Sequence, residues 1–524
     1  MVPRISATAA RRIALAGAVA VLALLPVSCG VANTSAEIPV VPVNNADNVL
    51  TAADVDSIAK AAAASVNAPL VIAVSDRMGA ALAIYIKKNG PTTTLANFSS
   101  TQPADEVALQ LARTAAFFSN DQAPLSSRTV RFISGIHFPP GVTDTESAPL
   151  YGIENTNRGC GDNSIFPITD ALHLGDAHLG ILTGKANTLD SVYTAVNPGG
   201  VPIFKNNRVA GGVGVVADPS TPNYNAVVEY AAVAATFGNG FGLNPVPYPG
   251  AVVVGGVTLP FVEQTTQPPG TTPGAADGGY EPNPIYPYSP YPLASGGAAP
   301  EGDLIPETAS SFTNGLTLAQ VQQIVQQAIT TGNQTRAAIR LPPGSRARFV
   351  IAVADLDGRL LALYRMPDAT VFSVDVARAK ARNVVWFSQG GYVDLPGIPQ
   401  GTAVTNRTIG YGAQPLFPEG IDGTPPGPFF NLFLKDLANR CTQGSQPPNA
   451  NQSGVVFFPG SVPLFINGKI VGGLGVSGDG VDQDDYATAG GAAGYMAPPA
   501  IRADNIIIDG VRMPYQKFPE NPTQ

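Results

Sequence analysis

Thr317 and Gln320 stand ahead of Val321, Ile324, Val325 and Ala328, apolar positions at the three-to-four-residue interval of a helix, with the spacing of a reciprocal N-terminal cap. Thr51 and Asp54 precede Val55, Ile58, Ala62 and Val66 in the same way. Two apolar runs follow each helix, joined by Asp76-Arg77-Met78-Gly79 or by Asp355-Leu356-Asp357-Gly358, with Asp and Gly at the ends of a type I turn, which predicts a hairpin. Val107, Leu111, Ala115 and Phe118, matched by Val374, Ala377, Ala381 and Val384, predict a second helix. A second hairpin is predicted over 462–476, turning at Asn467-Gly468. Gly211-Gly212 and Gly472-Gly473 fall inside its last strand, where glycine marks a bulge or a close backbone approach. A helix of small residues closes the unit. Helix, hairpin, helix, hairpin, helix gives an α+β domain, an antiparallel sheet with helices on one side.

The unit is written twice. Between 70–86 and 349–365 nine of seventeen positions are identical, and between 201–215 and 462–476 eight of fifteen. Arg128-Thr129 returns as Arg407-Thr408, the Phe-Pro-x-Gly of 138–141 as that of 417–420, and Gly256-Val257 as Gly510-Val511, always in the same order. A tandem duplication explains this better than a short-period solenoid. The expected plan is a first domain over 50–265, divergent and carrying an insertion at about 160–197, a Pro/Gly/Tyr-rich linker over 266–315, and a second domain over 316–518. Tyr286, Tyr288 and Tyr291 either dock the linker on a domain or stand in solvent.

Composition narrows the function classes. The chain has 524 residues, a formal net charge of −8 and only 13% charged residues, with no basic cluster, so a nucleic-acid partner is not expected. Three histidines and three cysteines are too few for Cys/His metal arrays, and no metal is expected. Arg4, Arg11 and Arg12 precede an apolar run at 13–25 and then Pro26-Val27-Ser28-Cys29, a secretory signal over 1–29 with a lipobox-like end, followed by a tether over 30–49. The expectation is an exported lipoprotein, periplasmic or held at the outer membrane through lipid on Cys29, with plain extracellular secretion as the alternative. Cys160 and Cys441 each follow an Asn-Arg pair and are expected to form a disulfide, as leftover cysteines of exported proteins usually do.

Several motifs of the second repeat together resemble the GlcG/HbpS-like family of haem-binding or haem-degrading domains. They are Ile351-Ala352-Val353-x-Asp355-x-x-Gly358, Tyr364-Arg365-Met366-x-x-Ala369, Ser373-x-x-x-Ala377-x-x-Lys380-Ala381, and Gly472-Gly473-x-Gly475-Val476-Ser477-Gly478 followed by Asp482, Asp484 and Asp485. The first repeat keeps Asp76-x-x-Gly79 and Gly211-Gly212-x-Gly214-Val215 but lacks the Arg-Met segment and the acidic tail. The resemblance implies two tandem profilin/PAS-like sandwiches, assembly into dimers or larger rings, and haem as the leading ligand. The two repeats could form such a dimer internally.

The candidate ligand-binding residues are Arg365, Lys380, Arg407 and Tyr411, with His137 reaching across from the first repeat. A haem needs an apolar slot for its ring and cations for its propionates. The second repeat has no histidine, which leaves Met366, Tyr364, Tyr411 or His137 for axial ligation. Arg128 and Arg407 read equally as carboxylate-binding forks or as ties to loop carbonyls. Asp76 and Asp355 read as turn caps, and Asp479, Asp482, Asp484 and Asp485 as acids favouring a helix N-terminus. No nucleophile elbow, zincin helix or P-loop is present, and no catalytic residue is assigned. The function expected is the binding of a small ligand. The alternatives are an assembly module without ligand, and an oxidoreductase or haem-degrading enzyme.

Overall fold

The computed structural model describes residues 48–96, 100–153, 198–244, 251–282, 290–439 and 441–524. The signal segment, Cys29, Cys160 and the expected insertion lie outside the described residues. In the first repeat, α1 (Ala52–Ser65) leads into β1 (Leu70–Asp76) and β2 (Ala81–Ile86), then a small hairpin of β3 (Thr93–Ala96) and β4 (Ser100–Pro103), α2 (Ala104–Phe118) and α3 (Ser127–Phe132). The second hairpin, β5 (Gly200–Lys205) and β6 (Arg208–Ala217), is followed by α4 (Tyr224–Ala235). Short strands β7 (Val253–Val254), β8 (Val257–Thr258), β9 (Gly279–Tyr280) and β10 (Gly302–Ile305) cross the connecting segment. The second repeat comprises α5 (Leu318–Gln334), β11 (Phe349–Ala354), β12 (Leu360–Arg365), α6 (Phe372–Gln389), α7 (Asn406–Gly412), α8 (Phe430–Ala438), β13 (Ser461–Ile466), β14 (Lys469–Gly478) and α9 (Val481–Gly491), and a closing hairpin of β15 (Ile507–Ile508) and β16 (Val511–Arg512).

These elements build two separate five-stranded antiparallel sheets, in the orders β5-β6-β1-β2-β9 and β10-β12-β11-β14-β13, so the α+β class holds. Corresponding pairs share a register, Ile72 opposite Val215 and Ile351 opposite Val476. They also share their irregularities, after Val74 and Val353 and again after Ile203 and Leu464. Both capping boxes form, Thr51 with Asp54 and Thr317 with Gln320. The turns of the second hairpins place Asn206 and Asn207, and likewise Asn467 and Gly468, at positive φ, as a type I′ turn requires.

Each sheet carries helices on both faces, an addition to the single helical layer expected from the sequence. Side chains alternate across a strand, so Ile72, Val74, Val213 and Val215 meet α1 and α4, while Val71 and Ala73 meet α2. The glycines explain the second layer. A Cβ on Gly214 would lie 1.8 Å from Ala108 O, and one on Gly475 would lie 2.2 Å from Ala377 O, so only glycine lets α2 and α6 seat on the strand. These contacts also correct the sequence alignment of the second helix: Ala108 corresponds to Ala377, Ala112 to Ala381, and hence Leu111 to Lys380. Arg113 and Arg382 confirm it, their Nε atoms donating to Gly79 O (2.8 Å) and Gly358 O (2.9 Å).

The connecting segment is more than a spacer. Tyr280 pairs with Tyr85 at the edge of the first sheet and Gly302 with Arg365 at the edge of the second. Tyr291 is buried, whereas Tyr286 and Tyr288 lie outside the described residues. The repeats share an apolar cluster in which Phe118, at the end of α2, stacks on Phe372, at the start of α6, with centroids 4.1 Å apart. The contact joins opposite helix ends, so it pairs non-equivalent surfaces. Arg340 reinforces it beside the junction, buried between Asp368 and Asp479, while Asn120 Nδ2 donates to Ile339 O at 3.1 Å.

Candidate functional site

A cavity of about 760 Å³ lies between the two repeats. Its apolar wall comes from both, Phe118, Leu125 and Ile133 from the first and Phe372, Phe457 and Phe458 from the second. Its polar lining is mostly acidic, with Glu146, Glu419, Asp482, Asp484 and Glu520 against Arg407 and Lys517. Tyr411 and Gln414 add neutral polar groups.

Arg407 and Tyr411 sit one turn apart on α7, whose N-terminus is fixed by the capping box of Thr405 and Thr408. Arg407 Nε meets Asp485 Oδ2 at 2.6 Å and its Nη2 takes Asp482. Burial works against the guanidinium charge, but the two carboxylates outweigh it and hold its pKa above the usual arginine value. The fork reading is therefore the one realised, with carboxylates of the chain itself. The first repeat repeats it, Arg128 binding Glu229 at 2.6 Å and Glu263 at 2.8 Å. Tyr411 packs edge-on against Phe417, centroids 5.5 Å apart, and burial raises its phenol pKa.

Lys380, expected as a cation for a ligand, is turned inward instead. It is fully buried, and its Nζ donates to Val476 O and to Asp484 Oδ2, both at 2.9 Å, 5.0 Å from the ring centroid of Phe458. Burial pushes Asp484 up to about 7 and Lys380 below its ordinary value, each opposed by attraction to the other. Asp484 Oδ1 has no hydrogen-bond partner among the described residues, and Asp484 lines the cavity. The acidic run thus serves several named cations as well as a helix start: Asp479 binds Arg340, Asp482 and Asp485 bind Arg407, and Asp484 binds Lys380.

Arg365 is placed away from the cavity. Its guanidinium donates to the carbonyls of Ala369, Ala299 and Pro300, tying β12 to the connecting segment. His137 Nε2 lies 2.6 Å from Asp422 Oδ1 of the second repeat, and His137 is not among the lining residues. Met366 is buried, its sulfur 3.4 Å from Phe349 N. Asp76 and Asp355 are turn caps as expected, Asp76 accepting from Met78 N and Ala80 N and Asp355 from Leu356 N. Among the described residues no cluster of three or more metal-ligating side chains is found, and no helix is long and apolar enough to cross a membrane.

Two lining groups escaped sequence reasoning. Glu419 accepts from Ser147 N at 2.8 Å, and burial together with Glu146 pushes its carboxyl up to about 7. Its signal was the repeated Phe-Pro-x-Gly motif, whose variable position it occupies. Phe458 had no signal beyond its hydrophobicity.

Residues 316–493 match the family described as Haem degrading protein HbpS-like. An uncharacterized 15.0 kDa protein of Citrobacter freundii, from the dhaT-dhaS intergenic region, is 29% identical over 135 residues, 26% of this chain and 67% of that protein. Among solved structures, the ORFY protein of Klebsiella pneumoniae is 22% identical, covering 35% of this chain and 92% of that one with a TM-score of 0.23. The PduOC:haem complex is 21% identical, covering 34% and 94% with a TM-score of 0.22. A double mutant of HbpS from Streptomyces reticuli is 20% identical, covering 35% and 88% with a TM-score of 0.21. Residues 316–493 of this chain are an HbpS-like domain, set beside a first repeat that carries the same order of strands.

Proposed function

We propose that the chain binds a small, largely apolar ligand in the cavity between its repeats, with haem the candidate to test first. The observation that carries this reading is the cavity itself, about 760 Å³, walled by aromatic rings of both repeats and bordered by Tyr411. Ligand sites have this character, a mostly apolar concavity with few polar groups. Tyr411 is the axial candidate, since tyrosinate is a known haem ligand, whereas His137 is engaged by Asp422. Lys517, exposed beside the cavity and paired with Asp482 only at 3.8 Å, is the cation most able to turn to a propionate, because Arg407 is held closely by Asp482 and Asp485. Family likeness supports haem as well, the PduOC structure being a haem complex. Haemin titrated into the purified protein should give a saturable Soret shift that Tyr411→Phe weakens or displaces. A wild type without such a shift rejects haem, and a discrete higher oligomer without any ligand would favour the assembly module.

Export belongs to the same proposal. The signal-like segment supports cleavage before Cys29 with lipid on its thiol, and intact mass of the mature chain decides it. A Cys160–Cys441 disulfide is proposed on the parallel sequence contexts and on the disulfide-bonded state of Cys441. Two reactive thiols under denaturing, non-reducing conditions would reject it.

A further inference from the structure

Asp484 is 2% exposed, lines the cavity, and has one carboxylate oxygen on Lys380 while the other is without a partner among the described residues. A buried acceptor left unpaired is costly, so it marks a place where a donor is wanted. The corresponding place in the first repeat holds no such group. Arg128 with Glu229 matches Arg407 with Asp485, which sets Val228 against Asp484, and the glycines agree. A Cβ on Gly199 would meet Val215 O and Val228 Cβ, and one on Gly460 would meet Val476 O, Asp484 Cβ and Lys380 Nζ. Where the second repeat has Lys380 and Asp484, the first has Leu111 and Val228, both buried.

We propose that Asp484 is the polar anchor of the cavity: its free Oδ1, positioned by Lys380, accepts a hydrogen bond from a hydroxyl or protonated amine of the ligand, and each chain has one such site. This rests on the cavity being the binding site and specifies what that site selects. The acidic lining works in the same direction, since a carboxylate set against Asp484, Glu419 and Glu146 would be repelled. A ligand bearing carboxylates, haem included, must turn them away from this wall.

The test uses 2-phenylethanol, 2-phenylethylamine and phenylacetate with the full-length protein, followed by saturation-transfer NMR, with haemin titrated in parallel. The alcohol and the amine should bind at one per chain and phenylacetate at least tenfold more weakly. Importing the first repeat's pair, Lys380→Leu with Asp484→Val, should weaken the alcohol and the amine at least tenfold while unfolding stays cooperative. Asp484→Asn, which removes the charge at nearly constant size, should cost the amine more than the alcohol. Phenylacetate binding as tightly as the alcohol, two equivalents per chain, or variants that fold and bind all probes like wild type would each overturn the anchor. A haemin shift retained by the double variant while the alcohol and the amine are lost supports the anchor, since haem offers Asp484 no hydroxyl or amine proton. Failure of all four probes to bind wild type would instead sink the cavity reading.

Discussion

The two repeats are built on one scaffold, and among the described residues one buried pair at the cavity sets them apart. Both have the capped first helix, the same strand order, the same irregularities and the same arginine fork, yet the second buries Lys380 against Asp484 where the first buries Leu111 and Val228. A buried ion pair seldom adds net stability over apolar residues of similar size. The comparison therefore separates what holds the fold from what borders the cavity. The apolar pair suffices for the architecture, and the charged pair lies where Asp484 lines the cavity.

The sharpest way to break the comparison is to remove one partner. Lys380→Met strands the Asp484 carboxyl in the interior and should cost about 3–5 kcal/mol in urea unfolding, whereas Lys380→Leu with Asp484→Val should recover most of that loss. A single variant that unfolds like wild type would show that the pair is not electrostatically sealed. Next, Phe118→Ala removes the ring stacked on Phe372 and should cost about 3 kcal/mol. If the repeats unfold as one cooperative unit, a single transition shifts, and splitting into two would show that this contact couples them.

The third test uses pH. Glu419 is raised on folding from 4.5 to about 7, so the folded chain binds the extra proton between those values. Its contribution to stability is present in full below about 4.5 and is lost as pH rises through about 7, on the order of 3 kcal/mol. Glu419→Gln should flatten the wild-type decline in melting temperature across that window, and an unchanged slope would clear Glu419 of the effect. The smallest expected effect concerns the shared scaffold. Thr51→Ala and Thr317→Ala each remove one half of a capping box and should cost about 1 kcal/mol apiece by the same assay. Clearly unequal costs would mean that the first helices are less equivalent than their caps imply.

What was legible in the sequence was local or repeated. The capping boxes, the turns at Asp76 and Asp355 and the Asn467-Gly468 hairpin signal themselves within a few residues, and the duplication shows each of them twice. The pairing of Lys380 with Asp484 spans 104 residues and depends on how α6 crosses β14, which no local spacing encodes. The apolar positions of α2 and α6 fit several offsets, and only the glycine contacts and the paired Arg113 and Arg382 hydrogen bonds choose among them. Arg365 read as a ligand cation because its burial against three backbone carbonyls leaves no periodic trace.

The connecting segment has a consequence beyond joining the repeats. An uncovered outer strand presents a row of unpaired N–H and C=O groups, a template on which another chain can add. β9 lies along β2, and β10 lies along β12, so one continuous stretch of chain occupies an outer edge of each sheet. The Gly/Pro-rich stretch between the repeats thereby serves as a guard against intermolecular β-pairing, protecting with one short peptide two edges that the duplication would otherwise have left open.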